Sequence, residues 1–399
     1  MNKIGNPCGS LPGETLEAEQ KHEECKKVYI VGAHSRGQTL AKYLQYLDSE
    51  VVVEAYLYNN QEKNPEQLRG IPVICMDETE KIHTEYPVYI ATRGVSHASL
   101  TEALQKIGFT KIYPVTVELD LRLRNDYLKK FFAEIGRDFR KIDQMERKLP
   151  KKDGSTDSEV KNFSTAGTTG STAVIYVAKS IYDSALQREY TLGSYEREIQ
   201  VGAALTEKRL YPGILTDDVG DNISERNQQF CELTALYWIW KHAKEDYVGL
   251  VHYRRHFMMP ENWAERMCEN EIDVILPIPL YVAPSLEGNY RSRHDPDEWD
   301  VMLRYLKQRD EKEYQEAKTF FQTSLYSPCN MFVMKREILD ELCTWLFPVL
   351  FAVAEYSGQK EVRYSNRYPG FISERLLTFF FEKNRERFKV VYADKNFLA

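Results

Sequence analysis

The sequence predicts a two-domain α/β protein, in which a small, doubly wound parallel sheet precedes a larger α/β domain. Short apolar runs alternate with amphipathic stretches of helical period from residue 27 to about residue 118, and again from residue 173 onward. This alternation is typical of strands joined by helices in a parallel sheet. Between the two regions, residues 153–172 are rich in Ser, Thr and Gly, the composition of a flexible linker. A length of 399 residues fits two or three domains.

Composition excludes several classes of protein. A hydrophobic share of 43% is enough for buried cores and too high for a disordered chain. The net charge of −7 argues against a general nucleic-acid binder, which would carry a basic surface. The seven cysteines are scattered without a CxxC pair, so they predict reduced thiols of a cytoplasmic protein. No run of eighteen apolar residues and no signal-peptide core is present, so no transmembrane segment is predicted.

The first domain is predicted to be Rossmann-like and to follow a flexible tail at residues 1–26. Strands are expected at 27–33, 51–58, 70–74, 87–91 and 111–114, with helices at 38–47 and 96–107. Its glycine turn holds Gly32 and Gly37 without a middle glycine, and Asn59 or Asn60 stands where a ribose-binding acid would follow the second strand. These departures from the dinucleotide fingerprint disfavour a catalytic NAD site. Residues 27–118 therefore predict an accessory domain.

A helical connector is predicted for residues 119–152, because apolar side chains recur there along one helical face. The Ser/Thr/Gly linker at 153–172 follows, and the second domain covers residues 173–399. That domain is expected to begin with a buried strand at 173–178 and to contain further strands at 246–251 and 272–277.

An acidic turn opens the central stretch of the second domain. Asp217, Asp218 and Asp221 surround a glycine, and ionised carboxylates so close together need water, a cation, backbone N–H groups or a polar ligand. Asn222 is a predicted N-cap, with Glu225 three residues later closing a capping box. The alternative is a solvated loop with an Asx cap.

A cationic cluster follows the strand at 246–251. His252, Tyr253, Arg254, Arg255 and His256 come directly after it. Ligands of open α/β sheets bind at the carboxyl ends of the strands, and the arginine side chain is well shaped for phosphate. The cluster thus indicates a site for an anion such as a diphosphate, with a salt-bridged surface as the alternative. The arginines between the two histidines disfavour a histidine metal site.

A carboxylate in an apolar run is a candidate for acid–base chemistry. Glu374 lies in such a run at the start of a predicted helix, next to Arg375. It either pairs with an arginine or lines a cleft, where desolvation would shift its pKa and suit it to act as a general base. The chain has no Walker A loop, G-x-S-x-G elbow, HExxH motif or kinase signature.

Several ordered motifs of the second domain resemble a bacterial glycosyltransferase-like family of capsule, exopolysaccharide and O-antigen gene clusters, long labelled a domain of unknown function. They lie at residues 200–204, 218–224, 231–238, 249–255, 330–334, 345–348 and 370–376. The resemblance covers about residues 173–399. It implies a GT-A-like α/β fold and a hexosyltransferase that moves a sugar, a UDP-hexose being the expected donor, to a glycan acceptor. Residues 27–118, with Gly70-Ile71-Pro72-Val73, resemble the front domain of bacterial sugar-modifying acyltransferases, which helps to hold a nucleotide sugar.

The resemblance leaves two ways to neutralise the donor diphosphate. A typical GT-A enzyme carries Asp-x-Asp where this chain has His252, Tyr253 and Arg254. Either Arg254 and Arg255 act directly on the leaving diphosphate, or Asp217, Asp218 and Asp221 hold Mg²⁺ or Mn²⁺. Glu374 corresponds in position to the acceptor base of inverting GT-A enzymes.

The resemblance also implies further site residues and partners. Donor-binding residues are expected to be Asp218, Asp221, Asn222, Asn227, His252, Tyr253 and Arg375. Asn330 is expected to bind the acceptor or, alternatively, to cap its loop. The partners implied are a nucleotide sugar and a glycan acceptor, lipid-linked at the inner face of the membrane, and no nucleic acid. The rival hypotheses are a non-catalytic nucleotide-sugar-binding or assembly module, and an NAD-dependent sugar-modifying enzyme that uses the first domain.

Overall fold

The computed structural model describes residues 25–59, 64–147, 172–186 and 189–398. The predicted tail up to residue 24, the end of the predicted connector and nearly all of the predicted linker lie outside the described residues. The chain divides into two units, Met1–Arg124 and Asn125–Ala399. The domain boundaries drawn from the sequence stay predictions. Within the described residues, no helix is both long and apolar enough to cross a membrane.

The first unit is an α/β sheet with a helix on each face. Its elements are β1 Lys26–Val31, α1 Ser35–Leu47, β2 Val51–Tyr58, β3 Gln67–Leu68, β4 Ile71–Cys75, β5 Val88–Ile90, α2 His97–Ile107 and β6 Ile112–Pro114, followed by α3 Val117–Glu134, which runs on into the second unit. The sheet order is β3-β4-β2-β1-β5-β6, and all pairs are parallel except β3 with β4. Leu40 and Leu44 of α1 pack on one face, and Leu100 and Leu104 of α2 on the other. The predicted alternation of strand and helix is confirmed.

The glycine turn of the first unit has a steric reason. A Cβ on Gly37 would lie 1.8 Å from the Gly32 carbonyl oxygen, so only glycine lets the start of α1 approach the end of β1 this closely. Gly32 itself has φ +101°, a conformation that favours glycine. The spacing of the two glycines is thus explained by packing.

The second unit contains the remaining elements. Its strands are β7 Ala173–Lys179, β8 Glu196–Gln200, β9 Leu215–Thr216, β10 Tyr247–His252, β11 Phe257–Met258, β12 Val274–Pro277, β13 Leu280–Tyr281, β14 Leu325–Tyr326, β15 Phe332–Lys335 and β16 Val390–Lys395. Its helices are α4 Asn227–Phe230, α5 Leu233–His242, α6 Trp263–Glu269, α7 Leu286–Arg291, α8 Pro296–Arg309, α9 Glu311–Phe321, α10 Arg336–Ser357 and α11 Tyr368–Lys383. The predicted α/β fold class is confirmed for this unit as well.

One mixed sheet forms the centre of the second unit, in the order β11-β16-β12-β15-β10-β7-β8-β9. Strands β10, β7, β8 and β9 are parallel neighbours, whereas β15 runs antiparallel to both β10 and β12. Because β15 is reversed, the residues before its start lie at the same edge as the carboxyl end of β10. This edge carries the polar side chains of the candidate site.

The sheet is covered on both faces, which explains why its central strands read as continuous apolar runs. In β7, Val174 and Tyr176 face the core that contains α5, α8, α10 and α11, while Ile175 and Val177 face the core that contains α6. In β10, Gly249 keeps the strands close, since a Cβ there would lie 3.0 Å from the Ile175 side chain.

Two local predictions were wrong in part. The helical segment after the acidic turn begins with a 3₁₀ turn at Ser224–Arg226 whose N-cap is Ile223; Asn222 Oδ1 still accepts a hydrogen bond from Ser224 N–H, and the segment breaks at Cys231, which has φ +50°. Helix α11 begins at Tyr368, so Glu374 lies in its second turn. Elsewhere in the unit, Asp310 separates α8 from α9 and accepts a hydrogen bond from Glu313 N–H.

Candidate functional site

A cavity of about 700 Å³ opens at the carboxyl edge of β8, β7 and β10. Five parts of the second unit form its wall: the segment after β7, the segment after β8, the segment around α4, the turn after β10, and the connection between α10 and α11. Open α/β sheets place ligands at this edge. The lining residues are Ala178, Ser180, Tyr182, Asp183, Ser184, Val201, Gly202, Leu205, Asn227, Gln228, Cys231, Glu232, His252, Tyr253, Arg254, Arg255, Lys360, Glu361, Arg363, Asn366 and Arg367.

Four arginines give the cavity its charge: Arg254, Arg255, Arg363 and Arg367. None of them forms an ion pair with a carboxylate of the described residues, unlike Lys360, which pairs with Asp295 at 3.0 Å. The Arg367 Nε–H donates instead to the Cys231 sulfur, 3.1 Å away. Guanidinium groups without carboxylate partners are available to an anionic ligand.

The turn after β10 fixes the first two arginines. His252 and Arg255 exchange two backbone hydrogen bonds of 3.1 and 2.9 Å, which closes the turn. The Arg254 guanidinium lies 4.8 Å from the Tyr253 ring centroid, and that of Arg255 lies 5.1 Å from the ring of Phe397. Cation–π contacts of this kind restrict the arginine side chains before any ligand arrives.

The two histidines of the cationic cluster have different surroundings. His252 lines the cavity, and its Nε2–H donates to the Cys329 carbonyl oxygen at 2.6 Å. Burial lowers the pKa of His252, and the negative charge of Glu232 opposes that shift. His256 is buried outside the cavity wall, where its Nδ1 contacts Glu196 Oε1 at 2.7 Å and its ring stacks on Tyr190. The structure therefore separates the two rings, which the sequence places four residues apart.

Asp217 is a buried anchor rather than a ligand-facing group. It is 0% exposed, and its two oxygens accept hydrogen bonds from Gly202 N–H and Ala203 N–H at 3.0 Å each and from the hydroxyls of Ser224 and Thr234. These donors satisfy the carboxylate without a cation. Asp217 thereby ties the end of β8 to the start of the α4–α5 segment.

The other residues of the acidic turn lie outside the cavity wall. Asp218 pairs with Arg209 at 3.1 Å, Asp221 lies 3.5 Å from Lys241, and the Asn222 amide donates to backbone carbonyls of the turn. Across the part of the chain that the structure describes, no group of three His, Cys, Asp or Glu side chains is arranged to hold a metal ion. The carboxylates expected to bind Mg²⁺ or Mn²⁺ therefore do not fit that role.

Asn227 is the donor-binding candidate of this region that does line the cavity. Its Nδ2 donates to the Cys231 carbonyl oxygen and to Thr234 Oγ1, at 2.8 and 3.0 Å. It packs against Gly202, where φ is +66° and a Cβ would lie 2.8 Å from Asn227 Oδ1. A larger residue in place of Gly202 would displace Asn227 from the wall.

Glu374 and Arg375 lie behind the cavity. Glu374 Oε1 accepts a hydrogen bond from Cys329 N–H at 2.6 Å, and Oε2 is 3.7 Å from Arg375. Burial raises the pKa of Glu374, and the positive charge of Arg375 opposes that rise. Arg375 is buried, donates to Asn289 Oδ1 and lies over the Tyr326 ring. The structure places Arg375 in the core, away from the cavity wall.

Sequence reasoning missed most polar residues of the wall, among them the charged residues Asp183, Glu232, Arg363 and Arg367. Burial raises the pKa of Asp183, with the charge of Arg254 opposing the rise. The two arginines follow α10 in a short polar segment, and their basic character was the available signal. Only the fold shows that this segment lies beside the turn after β10.

Asn330 is buried and joins two parts of the site. Its Nδ2 donates to Glu232 Oε1 at 2.8 Å and to the Gly370 carbonyl oxygen at 3.1 Å. Asn330 does not line the cavity itself but contacts a carboxylate that does. Its predicted contact with an acceptor would therefore be indirect.

The chain is similar to one protein family and to several solved structures. The family described as "Domain of unknown function (DUF4422)" matches residues 186–385. A search of curated proteins gave no match. Among solved structures, the chain is similar to the apo structure of the bifunctional glycosyltransferase WbbM, with 25% identity, a TM-score of 0.49 and coverage of 57% of this chain and 45% of that one. The acetyltransferase domain of PglB from Neisseria gonorrhoeae FA1090, in complex with acetyl coenzyme A, is 18% identical over 21% of this chain and 40% of that one, with a TM-score of 0.18. The chain thus spans less than half the length of either structure.

Proposed function

The chain belongs to the family described as Domain of unknown function DUF4422, and from this premise we propose that it is a glycosyltransferase that moves a sugar from a nucleotide-sugar donor to a glycan acceptor. The observation that carries the proposal is the cavity at the carboxyl edge of the sheet, whose wall holds four arginines without carboxylate partners among the described residues. The motifs that resemble bacterial glycosyltransferases support the same reading, because residues 231–238 and 249–255 contribute to this wall.

Arginines suit the donor of such a reaction. A nucleotide sugar presents a diphosphate, and guanidinium groups bind phosphate oxygens with two parallel hydrogen bonds. Arg254 and Arg255 are restricted by their turn and by the rings of Tyr253 and Phe397, so little reorganisation is needed when charge develops. Groups preorganised toward developing charge contribute most of their effect in the transition state.

The transfer itself requires three changes. The bond between the anomeric carbon and the diphosphate oxygen breaks, and its electron pair stays on the diphosphate. The acceptor oxygen bonds to the anomeric carbon, and the acceptor hydroxyl loses its proton to a base. In this proposal the cavity arginines stabilise the diphosphate, and a carboxylate takes the proton. Glu374 is the sequence-based prediction for that base, although it does not line the cavity.

The finer features of the proposal derive from the resemblance alone. We propose a UDP-hexose as the donor, a lipid-linked glycan of capsule, exopolysaccharide or O-antigen synthesis as the acceptor, and a place at the inner face of the membrane. The first unit is proposed to be accessory. Within the described residues no three His, Cys, Asp or Glu side chains are arranged to hold a metal ion, and the proposal assigns charge neutralisation to the arginines.

The test combines binding and turnover. The purified protein is screened by thermal shift against UDP-, GDP- and CMP-sugars and NAD(P), with EDTA or Mn²⁺, because a ligand that binds the native state raises the unfolding temperature. Release of the nucleotide, which is a diphosphate from UDP- and GDP-sugars and CMP from CMP-sugars, is then followed with glycan acceptors. We expect one nucleotide sugar to bind and turn over in EDTA, and the double variant Arg254→Ala/Arg255→Ala to lose about 100-fold or more in turnover.

The matched control is Arg385→Ala, since this exposed arginine lies outside the cavity wall. It should keep wild-type turnover. A double variant that binds and transfers like the wild type would overturn the proposal. Donor binding without consumption, with any acceptor, would favour the non-catalytic module, and a shift with NAD(P) alone would favour an NAD-dependent enzyme.

A further inference from the structure

Two consecutive residues at the sheet edge that carries the cavity have left-handed backbone conformations. Cys329 has φ +77° and Asn330 has φ +50°, immediately before β15. Non-glycine residues in this region are strained, and such strain persists only where the surrounding structure holds it in place. Since β15 is antiparallel to β10, this dipeptide lies at the edge where the turn after β10 forms the cavity wall.

The strained dipeptide orients three side chains. Cys329 N–H donates to Glu374 Oε1, and the Cys329 carbonyl oxygen accepts from His252 Nε2–H, both at 2.6 Å. The Asn330 side chain donates to Glu232 Oε1 at 2.8 Å. Asn330 is 1% exposed, and its second amide hydrogen bonds the Gly370 carbonyl oxygen, so its orientation is fixed. The conformation of these two residues thus fixes the positions of the Glu232 and Glu374 carboxylates.

Of these two carboxylates, only Glu232 lines the cavity. Its Oε1 is held by Asn330, whereas Oε2 has no hydrogen bond or ion pair within the described ranges. The other carboxylates of the wall differ: Asp183 accepts a hydrogen bond from Ser180 N–H at 2.7 Å, and Glu361 is exposed. Glu232 therefore combines a fixed orientation, a place in the wall and an oxygen that is open to a ligand.

We infer that Glu232 is the proton acceptor of the transfer reaction and that Asn330 is its positioning residue. This inference rests on the proposed function and names the base of that same site. As the acceptor oxygen bonds to the anomeric carbon and the diphosphate departs with the electron pair, the hydroxyl proton moves to Glu232 Oε2. Asn330 keeps Oε1 engaged, which leaves Oε2 directed to the substrate. Glu374 supports the Cys329 backbone from behind.

The experiment compares Glu232→Gln with Glu374→Gln in the full chain, with the nucleotide sugar that the wild type turns over. Gln can still accept the hydrogen bond from Asn330, so Glu232→Gln should fold normally. We expect its transfer kcat to fall by about 10²- to 10⁴-fold, the usual contribution of a general base, with donor affinity within about twofold of the wild type. Formate or azide should restore part of the activity of Glu232→Ala. Exposed Glu355→Gln on α10 is the control.

Asn330→Ala supplies a readout that a purely structural role would not change. The amide donates to Glu232 Oε1, so its removal frees the carboxylate to leave the orientation that the transfer needs. The transfer kcat should therefore fall by about 10²-fold, the usual effect of a misplaced reacting group, while the donor KM stays close to that of the wild type. Turnover by Glu232→Gln equal to that of the wild type would overturn the inference and leave the proposed function intact. A wild-type protein that neither binds nor consumes any nucleotide sugar would overturn both.

Discussion

Replacing Asp217 tests whether the acidic turn is an anchor or a ligand site. In Asp217→Ala, the backbone N–H groups of Gly202 and Ala203 lose their acceptor inside the protein. Each buried unsatisfied donor costs about 1–3 kcal/mol. The buried Ser224 hydroxyl loses its acceptor as well. The Thr234 hydroxyl keeps a second acceptor, the Cys231 carbonyl oxygen at 3.0 Å, so the loss of Asp217 costs it little. Three unsatisfied donors at about 2 kcal/mol each give a destabilisation of about 6 kcal/mol, or roughly 12–24 °C at about 2–4 °C per kcal/mol for a unit of this size.

The assay follows tryptophan fluorescence during heating. All five tryptophans lie between residues 238 and 345, so the signal reports the second unit alone. The control is Asp221→Ala in the same turn, whose side chain is 59% exposed and whose partners among the described residues are Lys241 and Tyr237. An exposed pair contributes about 1 kcal/mol at most, so that variant should melt within about 4 °C of the wild type.

Two results would refute the anchor role of Asp217. The first is an unfolding temperature of Asp217→Ala that lies within about 2 °C of the wild-type value, a decrease far smaller than the expected one. The second is a wild-type protein that Mn²⁺ stabilises strongly while Asp217→Ala does not respond, because this would assign the carboxylate to a cation. We expect EDTA and Mn²⁺ to leave the difference between the two proteins unchanged.

Three further perturbations follow from packing and charge. Gly249→Ala should cost about 1–3 kcal/mol in urea unfolding, because the added Cβ meets atoms 3.0 Å away on both neighbouring strands; an unchanged midpoint would contradict that packing. Burial alone would raise the pKa of Glu196, but the contact with His256 holds it below the ordinary value of 4.5. The pair therefore stabilises the fold above pH 4.5, and this contribution is lost as the pH falls through the lowered pKa. In Glu196→Gln, the free energy of unfolding should depend less on pH in the acid range. If the free energies of the wild type and the variant change in parallel with pH, the pair does not contribute this stability. Asn396→Ala removes the side chain that accepts a hydrogen bond from His256 N–H, next to the turn that carries Arg254. We expect the donor KM to rise while Tm changes little. An unaltered KM would show that Asn396 does not position this turn.

Local sequence patterns predict the central strands and one part of the site. The apolar runs at β7 and β10 are long enough to identify buried strands, and both are confirmed. The rule that ligands bind at carboxyl ends of parallel strands then places Arg254 and Arg255 at the cavity, where the structure has them. Their position follows from the sequence because the strand and the cluster are adjacent in the chain, while the role of the two arginines stays a prediction.

The acidic turn shows why the rest could not be predicted. Asp217, Asp218 and Asp221 look equivalent in the sequence, yet Asp217 is 0% exposed while the other two form surface ion pairs. What separates them is the end of β8, whose backbone N–H groups reach Asp217 only after the sheet has formed. Composition and spacing carry no information about that tertiary contact.

The reversed strand β15 explains how distant motifs meet in one site. Because β15 starts at the carboxyl edge of β10, Asn330 comes within hydrogen-bonding distance of Glu232 and of the Gly370 carbonyl, which are 98 and 40 residues away in sequence. A Cβ at Gly370 would lie 3.9 Å from Glu232 Oε1, so a side chain larger than that of alanine would press on the carboxylate. The motif residues Glu232, Asn330 and Gly370 are therefore coupled by direct contact, and a perturbation at any one of them should reach the cavity through the orientation of Glu232.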